Sequence, residues 1–159
     1  MRKIIDSDDG GGGDDASCPT SEPPSPDDTT ELLMGDLPSL SLEDVQPEPV
    51  QIFRMWQIFL DRVNPLSKVI HVPTVQPYVV ESATGSQTIP ANYQALIFAI
   101  YNNAVMAMDQ AECLKVLGCS KEAAHKKFAA GVRNYLVQVQ FMKQHDLVVL
   151  QALTLYLVS

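Results

Sequence analysis

Residues Pro49 to Gln76 read PVQIFRMWQIFLDRVNPLSKVIHVPTVQ, and this stretch sets how the rest of the chain is read. Ile52, Phe53, Met55, Trp56, Phe59, Leu60 and Val63 recur at steps of three and four, while Arg54, Gln57 and Asp61 take the opposite side. That period predicts an amphipathic helix from about Pro49 or Val50 to Val63. Pro49 suits a first helical turn, where its missing N–H would have had no partner anyway. Pro65 biases Asn64 away from helical backbone, so the spacing predicts a stop there. Leu66 to Gln76, with Pro73 inside it and Pro77 just beyond, reads as an irregular connector anchored by Val69, Ile70 and Val72.

The chain changes character where this block begins. Over residues 1–48, Arg2 and Lys3 stand against thirteen acidic side chains, a net charge of −11; over 49–159, nine basic residues face six acidic ones, a net +3, and the two make up the overall −8. Seven of the eleven prolines and five of the eight glycines precede Val50, and residues 1–48 contain no Phe, Tyr or Trp. Such a segment cannot bury enough apolar surface to offset its ordering entropy. Residues 1–47 are therefore expected to be a disordered acidic Gly/Pro/Ser-rich leader or linker, and residues 48–159 a folded domain.

Within the leader, Gly10 to Gly13 lie between Asp8, Asp9, Asp14 and Asp15. A phosphate loop would need a following Gly-Lys-Ser/Thr and a less acidic setting, so the tract reads as flexible low complexity. Ser17 to Asp28 has linker composition. Thr29 to Val45, TTELLMGDLPSLSLEDV, mixes Leu32, Leu33, Met34, Leu37, Leu40 and Leu42 with Glu31, Asp36, Glu43 and Asp44. Acidic-hydrophobic alternation of this kind has two readings: an activation segment that folds on a partner, or a linker that docks on its own domain.

Downstream, Ser82 to Asn92 reads as a polar loop around Gly85. Tyr93 to Met108 reads as a helix apolar on nearly every side and therefore central. Asp109 is placed to cap a short helix from Gln110 to Leu117 that Gly118 closes. Ser120 caps a long helix to about Gln140 whose stripe is Ala124, Phe128, Val132, Tyr135, Leu136 and Val139. Asp146 caps a last helix, Leu147 to Val158. The expected fold is all-α, an irregular domain of about four to five helices. The last helix, LVVLQALTLYLV, wants partners on almost all sides, more than four shorter helices supply, so the domain is expected to be incomplete.

Candidate chemistry is sparse. No run reaches the roughly 18 apolar residues of a membrane span, and Met1 to Ile5 run into Asp6 without the apolar core of a signal peptide. The three cysteines, Cys18, Cys113 and Cys119, make no disulfide framework. Cys113, Cys119 and His125 are six apart, not the two to four of common metal pairs, and the two cysteines read as small hydrophobes beside a helix end. His71, between Ile70 and Val72, reads as a buried structural histidine bonded to backbone. His145 beside Asp146 resembles half a triad, but a cap accounts for Asp146. Met106/Met108 and Met34/Met55 read as core or chance pairings, not as a calmodulin-like surface. Lys121, Lys126, Lys127 and Arg133 read as a solvated face, since the acidic total argues against nucleic-acid contact. No catalytic, cofactor-binding or metal-ligating residue is assigned.

The block IFRMWQIFLDRVNPLSKVIHVPTVQ resembles the opening of the regulatory region of fungal binuclear zinc cluster transcription factors, the fungal-specific transcription factor or middle homology domain. The matching pieces are the aromatic-rich helix Phe53 to Phe59, the Val-Asn-Pro-Leu turn Val63 to Leu66, and His-Val-Pro-Thr at His71 to Thr74. The small-residue-rich helix Ala95 to Met108 and Leu150-Gln151-Ala152-Leu153 are similar too, so the resemblance covers roughly 48–159. It implies an all-helical regulator acting in the nucleus, with protein partners in the transcription machinery or a homologous regulator, a small effector in some members, no catalysis and no membrane. The family holds zinc in an upstream six-cysteine cluster. Cys18 is the one cysteine here before residue 113, so neither zinc binding nor DNA contact transfers to any residue of this chain. The resemblance thus implies the N-terminal part of a regulatory domain without its own DNA-binding unit; a stand-alone helical interaction module is the other reading.

Overall fold

The computed structural model describes residues 45–86, 88–140 and 146–159. The expectations for the leader before Val45, and for Met34 and His145, fall outside these residues. In chain order the elements are α1 (Pro49–Ile58), a five-residue π turn (Phe59–Val63), α2 (Asn64–Ser67), α3 (Val72–Ala83), α4 (Ala91–Ala107), α5 (Gln110–Leu117), α6 (Lys121–Gln138) and α7 (Leu147–Leu157). The architecture is all-α, with no strand among the described residues.

Helix α1 begins with a reciprocal cap between Glu48 and Gln51 and buries Ile52, Met55, Trp56 and Ile58. Phe53, expected on the inner stripe, is 44% exposed and joins Val50, Arg54 and Gln57 on the outer face. The helix does not stop at Asn64. Its backbone widens instead, and the Asn64 N–H reaches the Phe59 carbonyl five residues back. Pro65 has no N–H to give, and in a regular helix its ring would press on the Asp61 carbonyl; the wider turn removes that clash. The chain leaves the helix only at Lys68, in the left-handed region at φ 45°.

The expected connector up to Gln76 is also helical in part. Pro73 falls in the first turn of α3, where a missing N–H is harmless, and Pro77 lies inside the helix on its exposed side. What holds α3 is burial: Val75, Val79 and Ser82, at steps of four and three, face the core. Ser82 also ties the domain's entry to its centre, since Gln46 Nε2 donates to Ser82 Oγ at 2.9 Å and that hydroxyl lies 3.3 Å from the Tyr101 hydroxyl.

Helix α4 is the axis. Every residue from Ala95 to Val105 is buried, with α6 and α7 packed along it and α1, the π turn and α3 on other sides. The α4–α6 approach is close enough that a Cβ on Gly131 would lie 2.6 Å from the Phe98 ring. Phe98 meets Tyr101, Phe128 and Tyr135 at ring-centroid distances of 5.6, 6.3 and 5.4 Å. Such aromatic pairs add roughly 0.5–1.5 kcal/mol each beyond area burial. Asp109, Ser120 and Asp146 cap α5, α6 and α7 through Glu112 N, Ala123 N and Val148 N, and Gly118 closes α5 at φ 72°, as the sequence predicts.

Candidate interaction surface

The polar side chains mostly serve the helix ends. The last carbonyls of α4 have no intrahelical partner, and cations take three in a row. Arg62 Nη1 donates to Ala107 O at 3.0 Å, and Lys121 Nζ donates to Met106 O at 2.8 Å and Met108 O at 2.7 Å. Lys121 is thus a clamp, not part of the expected solvated face, and its charge sits where the helix dipole favours a cation. Lys126 does lie on that face, paired with Glu122 at 3.0 Å. Lys127 lies 6.0 Å over the Phe128 ring.

Arg62 also grips Glu112 with two nitrogens, both at 2.7 Å. The bidentate pair ties the π turn to α5 across fifty residues of sequence. Those hydrogen bonds, with the Asp109 backbone N–H, hold the Glu112 carboxyl down at about 2.

The residues singled out from the sequence lie apart. Cys113 is buried in the core and Cys119 packs against it; burial pushes the Cys113 thiol up. His125 Nδ1 lies 2.8 Å from Asn102 Oδ1 on α4. His71 is exposed and bonded to the Thr74 hydroxyl at 2.8 Å. The burial expected for it fails because it sits at the cap position of α3, outside the helix face that packs inward. Asp146 caps α7 and accepts from Asn92 Nδ2 at 2.5 Å. Met108 is buried, whereas Met106 is 41% exposed. Among the described residues no three of His, Cys, Asp and Glu converge as metal ligands, and no helix is long and apolar enough to cross a membrane.

Two surface features combine exposed apolar side chains with a defined shape or face. One is a groove of about 460 Å³ between α1 and α5, lined by Val50, Arg54 and Ile58 from one helix and Glu112, Lys115 and Val116 from the other. Ile58 is buried at its floor and Val50, 78% exposed, stands at its rim. With Glu112 neutralised by Arg62, the charge the groove offers is that of Arg54 and Lys115. The four-residue steps of Val50, Arg54 and Ile58 are visible in sequence as one side of a helix, but nothing local says that α5 lies beside it. The second feature is the outer side of α7, where Leu147, Leu150, Leu157 and Val158 are all more than half exposed.

Comparison with known proteins gives this surface a context. Over 138 residues, 85% of this chain and 18% of the relative, it is 47% identical to pyriculol/pyriculariol biosynthesis cluster transcription factor 1 of Pyricularia oryzae. The chain is homologous to a segment of fungal transcription factors. It is also 40% identical over 115 residues to the transcriptional regulator nsrM of Aspergillus novofumigatus, covering 72% of the chain and 16% of the relative. The C6 finger domain transcription factor adaR of Aspergillus niger matches over 146 residues at 25% identity, 86% of the chain and 18% of the relative. The chain therefore spans less than a fifth of the length of these relatives. No family model matches the chain, and no solved structure does.

Proposed function

We propose that this chain is the N-terminal part of the regulatory, or middle homology, domain of a fungal zinc cluster transcription factor, and that it regulates transcription in the nucleus through protein contacts, without catalysis. The observation that carries this is the 47% identity, running along 85% of the chain, to a biosynthesis-cluster transcription factor. The exposed apolar side of α7 supports a unit that packs against further helices of such a domain. Partners would be components of the transcription machinery or a homologous regulator, with a small effector in addition. Three cysteines are too few for a six-cysteine cluster, so this reading assigns zinc and DNA contact to no residue of these 159.

The test is a chimera. In the Pyricularia factor, the matching segment is replaced by this chain and expression of the cluster is measured. Retained activation, against its loss when the segment is replaced by an unrelated helical domain of equal length, is the expected outcome. A chimera that is stable and nuclear yet no better than the unrelated domain overturns the reading.

A further inference from the structure

We propose that the α1–α5 groove is a docking site for the acidic, leucine-bearing segment of this same chain, residues 29–44. This docking needs only the 159 residues and stands apart from the regulatory role proposed above.

Charge complementarity is the first ground. Residues 1–48 carry a net −11 and the remainder +3, and Arg54 and Lys115 close no ion pair among the described residues. Residues 29–44 bring Glu31, Asp36, Glu43 and Asp44. The groove's own acid, Glu112, is engaged twice by Arg62, so an incoming carboxylate meets little repulsion. The second ground is apolar fit. Val50, Ile58 and Val116 form the apolar lining, and Leu32, Leu33, Leu37, Leu40 and Leu42 are interleaved with the acids that would face the two cations.

Reach is the third ground. The chain enters the domain at Val45, which is buried, and passes through Glu48, the cap of α1, into Val50 at the groove's rim. A 16-residue segment extends to about 50 Å at roughly 3.3 Å per residue, several times the roughly 12 Å that α1 covers from Val50 to Ile58 at about 1.5 Å per residue. A tether this short gives an effective concentration on the order of millimolar, so weak contacts suffice.

The test uses the full chain with a photoreactive benzoylphenylalanine at Val50, followed by proteolysis and mass spectrometry of the cross-links. The expected result is a cross-link to residues 29–44 within one chain. It should fall several-fold in R54Q/K115Q, and again when salt is raised from about 50 mM to about 500 mM, which shortens the screening length of the two cations. A leader variant, L32S/L33S/L37S, leaves every described residue unchanged and should abolish the cross-link; circular dichroism checks that each variant keeps its helices. Absence of the cross-link, or its indifference to both charge removal and the leucine changes, overturns the proposal. So does a cross-link between copies in an isotope-mixed sample, which would make the groove a self-association face. A probe at Leu150 that captures residues 29–44 while the probe at Val50 does not would move the segment to α7 and equally overturn it.

Discussion

Helix α4 reads ANYQALIFAIYNNAVMA and α7 reads LVVLQALTLYL; both are apolar around most of their circumference. In α4 every residue from Ala95 to Val105 is buried, whereas α7 buries Val149, Ala152 and Leu155 and leaves Leu147, Leu150, Leu157 and Val158 outside. Composition does not separate them. Position does: α4 has α6, α7, α1 and α3 around it, while α7 lies against α4 and α6 on one side. Apolar content says how much surface a helix seeks to bury, and the number of neighbours in reach says how much it does.

The comparison breaks first in the α4 layer. Phe98→Ala removes a ring that touches Tyr101, Phe128 and Tyr135, and truncating a buried phenylalanine costs about 3–5 kcal/mol. Chemical denaturation should show that loss, and a change below about 1 kcal/mol would mean that α4 is not the axis. Gly131→Val tests the same contact from the other side. Its side chain must displace Phe98, and overpacking of that kind costs about 1–3 kcal/mol.

Asn103 joins the two helices, donating to Ala99 O at 2.8 Å and to Leu155 O at 2.9 Å. The Leu155 carbonyl belongs to the last turn of α7 and has no intrahelical partner. Asn103→Leu leaves it buried and unpaired, at a cost of about 1–3 kcal/mol. Amide exchange in α7 should quicken more than in α6; equal quickening in both would place the effect in the core as a whole.

Acid should act elsewhere. Glu112 is held at about 2 against an ordinary 4.5 by Arg62, so its contribution is complete above about pH 4.5 and is lost as pH falls toward about 2. Wild type should therefore lose more stability over that interval than Glu112→Gln, and matching slopes would show that the pair does not form. The smallest effect belongs to α7's outer side. Leu150→Lys, at a position 55% exposed, should change stability in chemical denaturation by no more than about 0.5 kcal/mol. A loss of several kcal/mol there would show that the outer side is already covered.

Much of the fold was legible locally. The caps at Asp109, Ser120 and Asp146 and the closure at Gly118 are set by side chains within a few residues of the backbone groups they satisfy. The stretch around Pro65 to Pro77 was not, because proline's local penalties point to breaks. They are overcome by a widened turn at Phe59–Val63 and by burial of Val75 and Val79, both consequences of packing. His71 failed similarly: its apolar neighbours suggested burial, but a cap position turns its side chain outward. Of the candidate surface, the outer face of α1 is legible in part, yet the apolar period assigns Phe53 to the inner side while the structure leaves it 44% exposed.

The all-helical class, the caps, the centrality of α4 and the kinship with fungal transcription regulators can all be read from residues alone, because period, capping chemistry and residue identity are properties of short stretches. Long-range packing is what brings Arg62 to Glu112, sets Lys121 against the end of α4, places α1 and α5 around a groove, and leaves one apolar side of α7 bare. Each of these depends on which helices become neighbours, and that is settled by how their buried faces pack, not by any one stretch of residues.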